Sequence, residues 1–184
     1  MSALSVEVVN LTRLTVDPAA VAVLVAGVLG GEGVTSGELG VRFVGARRMR
    51  ALNREYLGHD EVTDVLAFPL EDGDENPRDT GPREESPREE SPRAGSPGDK
   101  SRGAGDESAS AVPRLLGDVV VCPLRAAAQA RAAGTPLAGE IALLLVHGTL
   151  HVLGYDHETD AGEMALRQAR HLADASWERL LGQD

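Results

Sequence analysis

Three histidines stand at a spacing that can do chemistry: His147, His151 and His157, in the stretch His147-Gly148-Thr149-Leu150-His151-Val152-Leu153-Gly154-Tyr155-Asp156-His157. The apolar run before them, Ile141-Ala142-Leu143-Leu144-Leu145-Val146, reads as the buried part of a helix. Four residues make about one helical turn, so His147 and His151 project from the same face. Gly154 ends the helix where a left-handed residue costs little, and the chain can turn and carry His157 back toward the pair. Three convergent imidazoles form a nitrogen-only, borderline-soft set that suits one zinc ion per chain. Three protein ligands leave the fourth tetrahedral position open, as in a catalytic site rather than a closed structural one. Packing is the competing explanation. It accounts for one histidine on an apolar helix, but three would each need a polar partner in the core.

Zinc held by three imidazoles lowers the pKa of its water from 15.7 to about 7 and can polarise a carbonyl or a phosphoryl oxygen. Peptide and phosphodiester hydrolysis are therefore both open. The spacing H-x-x-x-H-x-x-G-x-x-H matches that of the metzincin proteases, which place a general-base Glu directly after the first histidine. Here that position is Gly148, which has no side chain. Asp156, beside His157, is the nearest carboxylate; it can orient a ligand or handle a proton, or simply cap the turn. Upstream, Arg47, Arg48, Arg50 and Arg54 share one face of a short helix. They make either a solvated surface or a phosphate-contacting one.

The elements that must position these residues follow from pattern. Ser5 to Leu11 is valine-rich and reads as a first strand. Asp17-Pro18 caps and opens a largely buried helix that ends at Gly30-Gly31. Leu39 to Val44 is a second strand, and Ala46 to Tyr56 an amphipathic helix with Met49, Leu52 and Tyr56 on one stripe. Thr63 to Pro69 is a third, short strand. Then Pro82-Arg83-Glu84-Glu85-Ser86 recurs as Pro87-Arg88-Glu89-Glu90-Ser91 and decays through Pro92 to Ser96. The repeat has nothing apolar to bury, and residues 72–112 read as a disordered insertion between two strands. Leu115 to Val121 is the next strand. Pro123 opens an alanine-rich helix ending near Gly134, and Pro136 opens the histidine helix. Asp160 to Leu181 reads as one final amphipathic helix. His171 on it is a surface or packing residue, and His59 is solvated.

The chain has 184 residues, read as a single domain, 1–184, with a core of its own. Neither a bilayer-length apolar segment nor a basic-then-apolar leader is present at the N-terminus, which points to the cytoplasm and no membrane partner. Cys122, the one cysteine, excludes an internal disulfide, fits a reducing compartment and reads as a small core residue. Net charge is −11, and residues 72–112, with eleven acidic and six basic side chains, carry −5 of it. Taken alone, such a balance argues against a nucleic-acid binder, and no DNA partner is expected, although local patches decide more than totals. Aromatic residues are 3% of the chain, too few for extensive base stacking.

The stretch from His147 to His157 resembles the signature of the YbeY endoribonucleases, the rRNA maturation factors. Asn53-Arg54-Glu55-Tyr56, Thr63-Asp64-Val65-Leu66-Ala67-Phe68-Pro69 and Leu116-Gly117-Asp118-Val119 occur in that family's order. The resemblance runs from about Arg47 to Leu181, apart from the repeat insertion. It implies an α+β fold, a small mixed sheet packed with helices, and a zinc held by His147, His151 and His157 at the end of a central helix. It also implies a cytoplasmic, zinc-dependent, single-strand-specific endoribonuclease. Such an enzyme acts in maturation of the small-subunit rRNA 3′ end and in ribosome quality control, with rRNA and the ribosome or its assembly factors as partners. Two positions depart from the family pattern: Leu57 stands where many members carry Arg, and Ala67 where Ser is common. Without that Arg, phosphate charge must be met by zinc or by Arg54 and its neighbours. Three readings therefore stay open: zinc endoribonuclease, zinc metallopeptidase, and a metal-stabilised ribosome-assembly factor with little catalysis.

The ligand assignment predicts close to one zinc per chain by mass spectrometry, with His147→Ala, His151→Ala and His157→Ala each losing it. Full zinc content in all three variants would overturn the assignment.

Overall fold

The computed structural model describes residues 4–70, 114–156 and 160–182. Strand β1 (Leu4–Asn10) is followed by helix α1 (Pro18–Gly31), β2 (Gly37–Phe43), α2 (Ala46–Leu57), β3 (Val65–Pro69) and β4 (Leu115–Val121). Helices α3 (Pro123–Ala133), α4 (Leu137–Val152) and α5 (Glu163–Asp174) complete the chain with a single 3-10 turn at Trp177–Arg179. The strands form one mixed sheet in the order β1-β2-β4-β3. β1, β2 and β4 run parallel, and β3 runs antiparallel at the edge beside β4. This is the expected α+β architecture.

Local chemistry explains most of the boundaries. The Asp17 carboxylate accepts from the Ala19 and Ala20 N–H groups at 2.9 and 3.2 Å, and Pro18 supplies a preset φ at the first turn of α1. Helix α3 likewise opens on Pro123. Helix α4 is apolar on nearly every side, the pattern of a helix surrounded by protein. It touches β3, β4, α1, α3 and α5.

Alternation along β4 sorts the core into two layers. Val119 and Val121 face α1 and α4, packing with Val25, Phe43, Leu145 and Leu150. Val120 faces the other way, where α2 brings Met49 and Leu52 against Leu66 and Cys122. Cys122 is fully buried, as its sequence context implied.

The C-terminal region differs from the single helix expected over Asp160–Leu181. Helix α5 spans Glu163–Asp174 only, and the chain is extended at Ala175 before the 3-10 turn. Contacts at each end account for the late start and the early stop. The Asp160 carboxylate takes the N–H groups of Gly162 and Met164, both at 2.7 Å, which sets the first turn. At the other end, leaving the helix lets the Trp177 ring lie against Gly139 at the start of α4 and lets Leu180 become fully buried. The Leu180 carbonyl then accepts from Asp17 N–H at 2.9 Å, and Leu181 bridges to Val16. Amphipathic periodicity alone does not register these tertiary anchors.

Residues 72–112, read as a disordered insertion, lie outside the described residues. Their flanks do not. Pro69 pairs with Gly117, and Leu70 N–H donates to Leu116 O at 3.0 Å, so the two ends of the connection lie side by side. Closing a loop changes by only about 0.6 kcal/mol for each doubling of length. Replacing residues 72–112 by a short Gly-Ser turn is therefore expected to leave the melting temperature and the zinc content close to those of the parent chain. A fall of more than about 10 °C in a thermal melt, several kcal/mol for a domain of this size, would show that the segment packs.

Candidate metal centre

His147 and His151 sit on the last turns of α4, and the packing of that helix decides where they point. Each helical residue advances about 100°, so His147 and His151 lie on one side of Gly148, roughly 100° and 60° away from it. Gly148 itself faces the sheet. A Cβ there would come within 2.6 Å of Val119 Cγ1 and 3.2 Å of Val65 Cγ2. The helix therefore rests on β3 and β4 through a bare backbone, and the two imidazoles emerge at the rim of that contact.

There they converge. The two Nε2 atoms are 3.1 Å apart, with the rings edge-on at 77°. Two nitrogens bound tetrahedrally to one zinc at about 2.05 Å stand about 3.3 Å apart, so the pair fits a shared ion with almost no rearrangement. His147 Nδ1 faces the Gln168 carbonyl Oε1 of α5 at 3.0 Å. An amide oxygen only accepts, so this contact is a hydrogen bond only in the tautomer that carries the proton on Nδ1 and the lone pair on Nε2, the form a metal requires. Among the described residues no third His, Cys, Asp or Glu joins the pair. His157, the third ligand implied by the sequence, lies outside the described residues.

The pair opens onto a groove of about 460 Å³ walled by Tyr56, Leu57, Val65, Ala67 and Phe68. Leu57 is more than half exposed there, at 56%. A second groove of about 380 Å³ shares Tyr56 and Phe68 and carries Arg42, Arg48 and Asp118. The two shared rings meet edge-on with centroids 5.0 Å apart.

The other sequence candidates, Arg54 and Asp156, are not among the residues that line this groove. Arg54 is exposed on α2 with Nη1 3.7 Å from Asp60, and it is not among the groove walls. Arg50 grips the same carboxylate with two bonds of 2.9 and 2.6 Å. That hydrogen bonding, with the charges of Arg50 and Arg54, holds Asp60 below the usual carboxylate range. Part of the arginine face is thus spent on an internal partner. Asp156 is half-buried in the turn after Gly154 (φ +84°), and its carbonyl accepts from Asp160 N–H at 3.0 Å. His59 is exposed, as expected.

Sequence reading missed two residues here. One is Gln168. The other is Glu32, just past α1, whose side chain is 3% exposed. Its carboxylate meets three groups: Tyr155 OH at 2.8 Å, Arg167 Nη1 at 2.6 Å and His171 Nε2 at 2.8 Å. His171 is therefore a packing residue with a specific charged partner. Tyr155 lies between His151 and His157, and Arg167 is next to Gln168, so one buried carboxylate ties α1 to both the turn and the helix behind the histidines. A glutamate after a glycine pair carries no local signal of this kind, because its three partners are more than 120 residues away.

A four-stranded mixed sheet under a central helix that presents two facing imidazoles defines the class. The sequence family described as endoribonuclease YbeY matches residues 14–176. The chain belongs to that family. It is 40% identical to the endoribonuclease YbeY of Salinispora tropica over 178 residues, covering 95% of this chain and 96% of that one. It is 38% identical to the Halalkalibacterium halodurans protein of the same name, covering 71% of this chain and 67% of that one. The solution structure of a Thermotoga maritima protein shares the fold with a TM-score of 0.53 at 20% identity, covering 92% and 87% of the two chains.

The Glu32 cluster generates a stability prediction. Burial pushes the Glu32 carboxyl up, but hydrogen bonds from His171 and Tyr155 and the charges of Arg167 and His171 together outweigh it, leaving the group below its ordinary value of 4.5. A depressed folded pKa means the stabilisation is full above pH 4.5 and is lost as pH falls through the folded value. Glu32→Gln should cost about 1–3 kcal/mol at pH 7 in urea unfolding. The gap from the parent should narrow below pH 4.5. A gap constant from pH 7 to pH 3 would mean that charge plays no part.

Proposed function

We propose that this protein is a zinc-dependent endoribonuclease specific for single-stranded RNA, acting in maturation of the small-subunit rRNA 3′ end and in ribosome quality control. The reading places it in the cytoplasm, with rRNA and the ribosome or its assembly factors as partners, and with neither DNA nor membrane among them. Among the described residues no single helix is long and apolar enough to cross a membrane. The observation that carries the proposal is the facing Nε2 pair of His147 and His151 at the head of an open groove, in a chain of the YbeY family.

His147 and His151 would hold the ion, with His157 as the third ligand. When bound, zinc supplies a Lewis acid and a water acidic enough to ionise near neutral pH. The rest falls to the chain. Gln168 would accept the His147 Nδ1 proton, while Val65, Ala67 and Phe68 give the groove an apolar wall beside the histidines. The peptidase reading loses its general base on steric as well as sequence grounds. A Cβ at position 148 would come within 2.6 Å of Val119 Cγ1, so a side chain there would force the helix or Val119 to shift.

One observation favours the assembly-factor reading. Leu57 puts an apolar side chain on the groove wall where a guanidinium could meet a phosphate. A single assay separates the alternatives. Zinc-loaded protein should cleave single-stranded RNA, lose that cleavage with a chelator, and leave casein intact. Leu57→Arg should raise cleavage by about tenfold, the kinetic equivalent of one charge-assisted hydrogen bond of about 1.5 kcal/mol. A gain that disappears at high salt reports substrate capture, and one that persists at saturating RNA reports transition-state stabilisation. Arg54→Ala should reduce whatever activity the parent has. Intact RNA with a fully loaded protein, and silence of both variants, would favour the assembly factor.

A further inference from the structure

We propose that Gln168 is a positioning residue of the histidine site: its amide oxygen selects the tautomer of His147 and so sets the affinity of the pair for a divalent metal. The inference rests on reading His147 as a ligand, and it concerns a residue on a different helix from any ligand.

Gln168 breaks a pattern. Met164, Gln168 and Leu172 are four apart on α5, so they form one stripe along the helix. Met164 is 1% exposed, and Leu172 packs against the same core. A polar side chain between two packing residues must find a partner or forfeit the hydrogen bonds it made to water. Its partner is His147 Nδ1, at 3.0 Å.

The consequence for His147 is chemical. A neutral imidazole carries its proton on one nitrogen or the other, and the hydrogen bond made by one decides the state of the second. With Oε1 accepting at Nδ1, the lone pair lies on Nε2, which faces His151 Nε2 at 3.1 Å. Without that acceptor the opposite tautomer gains population, and it has no lone pair to offer on that side. The ring also loses the contact that fixes its rotation. Glu32 holds the geometry from behind, because it binds Arg167 and His171, the residues one before and three after Gln168 on the same helix.

The test uses full-length protein and two variants, Gln168→Leu, which removes the acceptor, and Gln168→Glu, which keeps one. Zinc affinity is measured by chelator competition, and the His147 tautomer by two-bond proton–nitrogen correlation on zinc-free protein. Gln168→Leu is expected to weaken zinc binding by about 10- to 100-fold and to populate the Nε2–H form of His147. Its zinc-free melting temperature should not fall, since leucine suits the stripe. Gln168→Glu should stay within about threefold of the parent and keep the Nδ1–H form. Parent-like affinity together with an unchanged tautomer in Gln168→Leu would overturn the proposal. So would a parent protein whose His147 carries its proton on Nε2, a result that holds even if the leucine variant folds poorly. If the parent takes up no zinc at all, the metal reading fails by itself, and the tautomer measurement still decides the role of Gln168.

Discussion

At Gly148 the backbone of α4 comes so close to Val119 and Val65 that no side chain fits between them. Much else depends on that contact. It sets the depth at which α4 lies on β3 and β4, and with it the rotation of the helix about its own axis. Rotation in turn decides that His147 and His151 leave the helix beside the sheet edge, facing each other, instead of into the core or into open solvent. A larger residue at 148 would lift the helix and spread the two imidazoles. The glycine that removes the protease-type carboxylate from the motif is thus the same glycine that seats the histidines.

A second layer stands behind the first. Helix α5 reaches His147 through Gln168 and reaches α1 through Arg167 and His171, which share the Glu32 carboxylate with Tyr155. Burying one carboxylate is tolerable because it meets three polar groups, two of them from one helix face. The arrangement ties the turn after the histidine helix to elements that fold from the far end of the chain.

Electrostatics on the groove side are more frugal than composition suggests. Four arginines on α2 look like a phosphate platform in sequence, yet Asp60 engages Arg50 in two hydrogen bonds and lies within reach of Arg54. Arg42, in the adjoining groove, is paired with Asp118 at 3.2 Å. In a chain of net charge −11, counting arginines overstates the positive field an RNA would meet, because exposed guanidinium groups with carboxylate partners are largely neutralised. The apolar wall at Leu57 sharpens that point.

Periodicity and punctuation in the sequence were enough to find the strands and α-helices of the described residues, though not the end of α5 or the 3-10 turn after it. Asp17-Pro18, Pro123, Pro136 and Gly154 mark boundaries because capping, a fixed φ and a positive φ are local properties that need no distant partner. The spacing of His147 and His151 likewise determined that they share a face, since helical geometry alone enforces it. Which face the rest of the protein would leave open was not in that spacing. It depends on where Val119, far earlier in the chain, meets the helix at Gly148. The strand order, the antiparallel edge of β3 across a long connection, and the early end of α5 all hinge on contacts between residues remote in sequence. Glu32 and Gln168 make the same case: both read locally as ordinary polar residues, and only the tertiary structure brings them to the tyrosine, arginine and histidines that give them a role.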